Sequence, residues 1–103
     1  MRISTVAIAL LCNLFLQTAA YSDDEFCSKV GQLAGLVMEG RQQGVIMSTA
    51  MQSASGTTDM AELRRLLIIE AYKSPRYSTD RMKQSAIVDF RNEAELSCYT
   101  ANN

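Results

Sequence analysis

Two stretches decide how this chain folds: SDDEFCSKVGQLAGLV at residues 22–37 and DRMKQSAIVDFRNEAELSC at residues 80–98. Each is patterned as an amphipathic helix and each carries one cysteine, Cys27 near the start of the first and Cys98 at the end of the second. In the first stretch, Ser22 and Glu25 have the spacing of a capping box. In that motif the hydroxyl accepts from a free backbone N–H of the first turn and the carboxylate reaches back. The acidic run Asp23-Asp24-Glu25 suits the positive end of the helix dipole. Apolar residues then fall at Phe26, Val30, Leu33, Ala34 and Val37, a helical period. Gly31 and Gly35, four apart, predict a smooth strip where another helix approaches closely. Arg41-Gln42-Gln43-Gly44 closes the element with a cation in the last turn and a glycine for the left-handed cap.

The second stretch predicts a helix from Asp80 to about Ser97, capped by Ser78 or Thr79. Met82, Ala86, Phe90, Ala94 and Cys98 step by four along one face and are joined by Ile87, while Arg81, Lys83, Asp89, Arg91, Glu93 and Glu95 cover the rest. Tyr99 to Asn103 reads as a polar tail. A disulfide between Cys27 and Cys98 requires these two helices to run antiparallel; free thiols, or pairing between chains, are the competing arrangements. In an oxidising compartment the bridge supplies the staple that a small core needs. Closing a loop of about 70 residues stabilises the fold by roughly 4 kcal/mol through chain entropy.

Between the two stretches, Val45-Ile46-Met47 is an apolar connector expected to tuck under the domain. Ser48 is the expected cap of a short second helix, with Met51 and Ala54 inward and Met47 as a staple. Ser53 to Thr58 reads as a loop. Asp59 and Glu62 repeat the capping-box spacing and open a third helix running to about Lys73. Its main face is expected to be Met60, Leu63, Leu66, Leu67 and Ala71, widened by Ile68 and Ile69, and it is expected to be central. Ser74-Pro75 stops it, because a residue before proline avoids the helical region. The fold class is therefore all-α: a small four-helix domain, the second helix short, with one disulfide joining the first and last.

The N-terminus has the parts of a secretory signal: Met1-Arg2, an apolar run from Ile3 to Leu16, and small residues ahead of a cut after Ala20. The run is shorter than the roughly 20 residues a membrane span needs, so no stable membrane insertion is expected after cleavage. Residues 1–20 read as a signal peptide and 21–103 as one domain. Cys12 leaves with the signal, since Leu11 stands where a lipoprotein signal wants a small residue. Residues 21–103 hold nine basic side chains against eleven acidic ones, mixed in sign. A chain without a basic stripe is not expected to bind nucleic acid.

Catalytic groups are scarce. The absence of histidine removes the commonest general base and metal ligand. With Cys27 and Cys98 bridged no thiolate nucleophile remains, and no phosphate loop or nucleophile elbow is present. The expectation is a non-enzymatic protein without a cofactor. Met47 and Met51 are the candidate soft ligands for Cu(I), but flexible methionines filling an irregular small core are the preferred reading, because Met38, Met60 and Met82 fit the packing faces and no methionine cluster is dense. Recognition of another protein falls to Arg64-Arg65, on the exposed side of the third helix with Asp59 and Glu62 in pairing range, and to Arg76-Tyr77 at the proline turn. A guanidinium beside a ring is a common anchor at interfaces; the structural alternative pairs Arg76 with a nearby acid and lays Tyr77 over the core edge.

The layout of a signal peptide, Cys27, Arg41-x-x-Gly44, Ala71-Tyr72-x-x-Pro75 and Cys98 resembles small uncharacterised exported proteins of proteobacteria. That resemblance implies export and a helical domain and transfers no activity. The single-bridge helical plan is also similar in outline to periplasmic acid-stress chaperones. Two functions follow: an exported accessory or inhibitor that binds an unknown protein partner in the periplasm or outside the cell, or an acid-stress chaperone. In the latter, protonation of eleven carboxylates would loosen the bundle.

Overall fold

A computed structural model describes residues 24–101, which form four helices and no strand. We number them α1 (residues 24–42), α2 (Met47–Gln52), α3 (Asp59–Ala71) and α4 (Asp80–Ala101). The expected leader 1–20 with Cys12, and the capping box at Ser22, lie outside the described residues.

The bridge between Cys27 and Cys98 is formed, with the two Cα atoms 5.5 Å apart. At the opposite end, the last turn of α1 is bonded to the first turn of α4 through Lys83 Nζ, which donates to the Gln42 carbonyl at 2.7 Å. These two ties make α1 and α4 antiparallel. The core lies where both meet α3: Leu33, Ala34 and Met38 of α1, Leu67 and Ala71 of α3, and Phe90 of α4, with Ala86, Ile87 and Ala94 packed against them. Gly31 permits the close approach of α4: a β-carbon there would lie 2.4 Å from Cγ of Glu95.

The C-terminus of α1 shows how local sequence builds this fold. A helix leaves its last four carbonyls without intrahelical partners. Here Val45 N–H bonds to the Gly40 carbonyl at 3.0 Å and Gly44 N–H to that of Arg41 at 3.1 Å, a Schellman closure. Gly44 takes φ +89° to make it. The remaining two carbonyls, of Gln42 and Gln43, face the cations of Arg76 and Lys83. Positive charge at this end also complements the helix dipole. Gly44→Ala should therefore lose about 1–2 kcal/mol from backbone conformation alone. A β-carbon at this position would also sit 2.8 Å from the Arg76 guanidinium carbon. The expected result is a fall in Tm of roughly 5–15 °C by calorimetry.

Several expectations about element ends and faces are corrected. Helix α2 begins at Met47, with Ile46 extended at its N-cap and no side-chain cap, so Ser48 is inside the helix. The connector is not tucked under the domain: Ile46 is 67 % exposed, and Val45 and Met47 are exposed beside it. Ala54 is buried as expected, just beyond the helix. At α3 the cap is Thr58, whose hydroxyl accepts from Ala61 N–H at 3.1 Å, and Asp59 is the first helical residue. That helix stops at Ala71, before Lys73. Its buried residues are Leu67, Ile68 and Ala71, whereas Met60 and Leu66 face outward. Phe26 and Met82 are likewise about half exposed. Helix α4 is capped by Thr79, which accepts from Met82 N–H at 3.2 Å. It runs on through Tyr99 to Ala101, so that much of the expected tail is helical.

Candidate functional site

Of the residues singled out for recognition, Arg76 and Tyr77 belong to a structural hub at the end of α1. Gln42, with 2 % of its surface exposed, is its centre. The Gln42 side-chain amide donates to the Pro75 carbonyl at 3.0 Å and its Oε1 accepts from Tyr77 N–H at 2.9 Å. Arg76 Nε donates to the Gln42 carbonyl at 3.1 Å. The acid partner expected for Arg76 is thus replaced by helix carbonyls. Nearby, Arg41 lies over the Tyr72 ring at 5.0 Å and donates to the Ser74 carbonyl, while the Tyr72 hydroxyl donates to that of Val45. Pro75 ends one helix and its carbonyl then anchors another, so the α3–α4 turn is folded onto the end of α1.

Arg65 is half-buried and donates to the carbonyls of Ala54 at 2.6 Å and Gly56 at 3.0 Å, holding the α2–α3 loop. Arg64 is half-buried too and lines a small groove of about 250 Å³ beneath the exposed connector, with Val37 and Tyr72. Neither arginine makes an ion pair with Asp59 or Glu62 among the described residues. Met47 and Met51 share one side of α2, the first exposed and the second half-buried. Among the described residues no three His, Cys, Asp or Glu side chains come together as a metal site. Among the described residues the ion pairs are local i,i+3 or i,i+4 contacts: Lys29 with Glu25 in α1, Arg91 with Glu95 in α4, and Lys73, just past the end of α3, with Glu70.

The larger concavity is at the other end of the molecule, beside the disulfide. It measures about 500 Å³, within the ~300–1,000 Å³ typical of ligand sites. It is lined by Phe26 and Val30 of α1, Leu63 and Leu67 of α3, and Phe90 and Ala94 of α4. Cys98 closes the groove near the bridge, and Glu70 and Glu93 are its charged lining residues. Among the described residues, three helices meet here and no fourth helix lines the groove. Helix α2 has six residues, none of them buried, and none lines the groove.

Six of the apolar lining residues, Phe26, Val30, Leu63, Leu67, Phe90 and Ala94, lie on the expected helix faces and read from sequence as core, whereas Ala101 falls in the expected tail. The 48 % exposure of Phe26 shows that this face is only partly covered. Glu70 and Glu93 were missed as features of the site because an acid on an amphipathic helix ordinarily reads as solvated surface. The signal was their position: Glu70 is i+3 from Leu67, and Glu93 is i+3 from Phe90, so each adjoins a groove wall.

No protein-family model, no curated protein and no solved structure matches this chain. Among the described residues, no helix is long and apolar enough to cross a membrane.

Proposed function

We propose that this is a small exported protein, periplasmic or secreted, that acts by binding another protein and not by catalysis. The observation that carries the reading is the half-open apolar groove of about 500 Å³ at the disulfide end. A small domain gains stability by closing its core, and this one leaves Phe26 and a three-helix groove uncovered. Contiguous apolar surface of that kind is the usual mark of a docking site. Export is supported by the leader-like residues 1–20, by the bridge, and by the resemblance to small exported proteins of proteobacteria. The acid-stress alternative draws no support from the hub around Gln42, whose cations are held by backbone carbonyls and not by carboxylates.

A photoreactive benzoylphenylalanine replacing Phe26 in the exporting cell tests the reading. It should give a discrete adduct with one identifiable protein, and the purified partner should rebind the unmodified domain. The same probe at Val88, exposed on α4 away from the groove, should not give that adduct. No adduct at position 26, or identical adducts at both positions, refutes a groove-mediated function.

A further inference from the structure

We infer that the groove beside the disulfide receives a cationic amphipathic helix of the partner, with its Leu-type side chains between the walls and its Lys or Arg side chains against Glu70 and Glu93. The inference rests on the protein-binding reading above and names the chemistry of the partner.

Charge complementarity chooses the occupant. Every ionisable residue lining the groove is a carboxylate, and no lysine or arginine is among them. Glu70 has a local partner in Lys73 at 2.8 Å, but both side chains are more than half exposed, so that pair is weak and exchangeable. Glu93 is exposed and has no ion pair among the described residues. The other cations of this end, Lys29 and Arg91, are paired within their own helices to Glu25 and Glu95, and Arg41, Arg76 and Lys83 donate to carbonyls at the opposite end, around the C-terminus of α1. Asp24 adds a further negative charge at the start of α1, where Glu25 is paired with Lys29. An acidic partner would place like charges together, which interfaces avoid at considerable cost.

Shape favours a helix over an extended strand or a small amphiphile. The walls are helices, with no sheet edge to pair an extended peptide. The lining residues Leu63 and Leu67, and Phe90 and Ala94, repeat at i and i+4. That repeat matches the apolar ridge of an incoming helix, the helix-in-groove mode of recognition.

Binding of two fluorescent 18-residue peptides to the purified, oxidised protein tests this. One is built from leucine and lysine at helical spacing, and the other replaces every lysine by glutamate. The lysine peptide should bind at least about tenfold more tightly at low salt, and the gap should narrow at 1 M salt. Glu93→Lys should weaken lysine-peptide binding about fivefold, and the double variant Glu70→Lys/Glu93→Lys should reverse the order of the two peptides. Both glutamates are exposed, so the variants should retain the native circular dichroism. Equal binding of both peptides, or indifference to Glu93→Lys, overturns the inference. So does tighter competition by a single-chain trimethylammonium amphiphile than by the lysine peptide, which would make this a small-molecule site. Should the Phe26 adduct identify a partner whose docking segment lacks lysine and arginine, protein binding stands and the charge inference falls.

Discussion

Replacing Cys27 and Cys98 together by serine should lower Tm by roughly 10–30 °C, the equivalent of about 2–5 kcal/mol. The expected loss is large for two reasons. The bridge spans 71 positions, so its removal restores much of the conformational freedom of the unfolded chain. The core that would have to compensate is small: six buried residues form its central cluster, and domains of this size bury a modest fraction of their surface. The damage should also be uneven. The hub around Gln42 still ties the far ends of α1 and α4 through Lys83 and Arg76. Hydrogen exchange should therefore quicken first in residues 24–31 and 94–101, beside the lost bridge, and last near Gln42. A double variant whose Tm equals that of the parent would show that the bridge adds nothing to stability.

The second large effect is expected at Gln42. Gln42→Ala should cost about 2–4 kcal/mol, because it strands the Tyr77 N–H and the Pro75 carbonyl and leaves a space where a long side chain was. The buried amide donates to Pro75 through its nitrogen and accepts from Tyr77 through its oxygen at once. Gln42→Met separates the two contributions. It retains most of the volume and loses both hydrogen bonds, so it should recover part of the deficit and stay about 1–3 kcal/mol below the parent. Chemical denaturation of the three proteins measures this directly. Should Gln42→Met match the parent, the hydrogen bonds would be dispensable and only packing would matter at that site.

The two ends of the molecule thus divide the work. One end sets Arg76 and Lys83 on the carbonyls that end α1. The other keeps its carboxylates exposed beside an open apolar groove. The division accounts for the different fates of the candidate recognition residues. The Arg76 guanidinium donates to hub carbonyls and Tyr77 is tied there through its backbone N–H, while Phe26, read as core, is half exposed beside the groove.

Much of the helical plan was legible because it depends on local physics. Helical spacing in residues 26–37 and 82–98, the glycine after Arg41-Gln42-Gln43, and the proline after Ser74 each act within a few residues of the chain. The bridge was legible because residues 21–103 offer one pair of cysteines. Cap identities were less secure where two polar residues adjoin: Thr58 was available beside Asp59, and the extended backbone falls at Thr58. The face of α3 was legible only in part: Leu67 and Ala71 are buried and Leu63 packs against the core, whereas Met60 and Leu66 are exposed. Met60, Leu63, Leu66, Leu67, Ile68 and Ile69 surround nearly the whole helix, so no stripe stands out.

By itself, then, the sequence determined that this protein is a set of four helices with one bridge between the first and the last. Those features follow from hydrogen bonds and backbone preferences within single turns, and from a covalent link with one available pair. Only the tertiary structure decided that Leu67 and Ile68 turn inward while Leu66 does not. It alone decided that Arg76 meets carbonyls instead of an acid, and that a groove opens between α1, α3 and α4 with Glu70 and Glu93 beside it. Each of these depends on which helix lies opposite, across more than 20 positions of sequence, and periodicity within one helix carries no record of its neighbour.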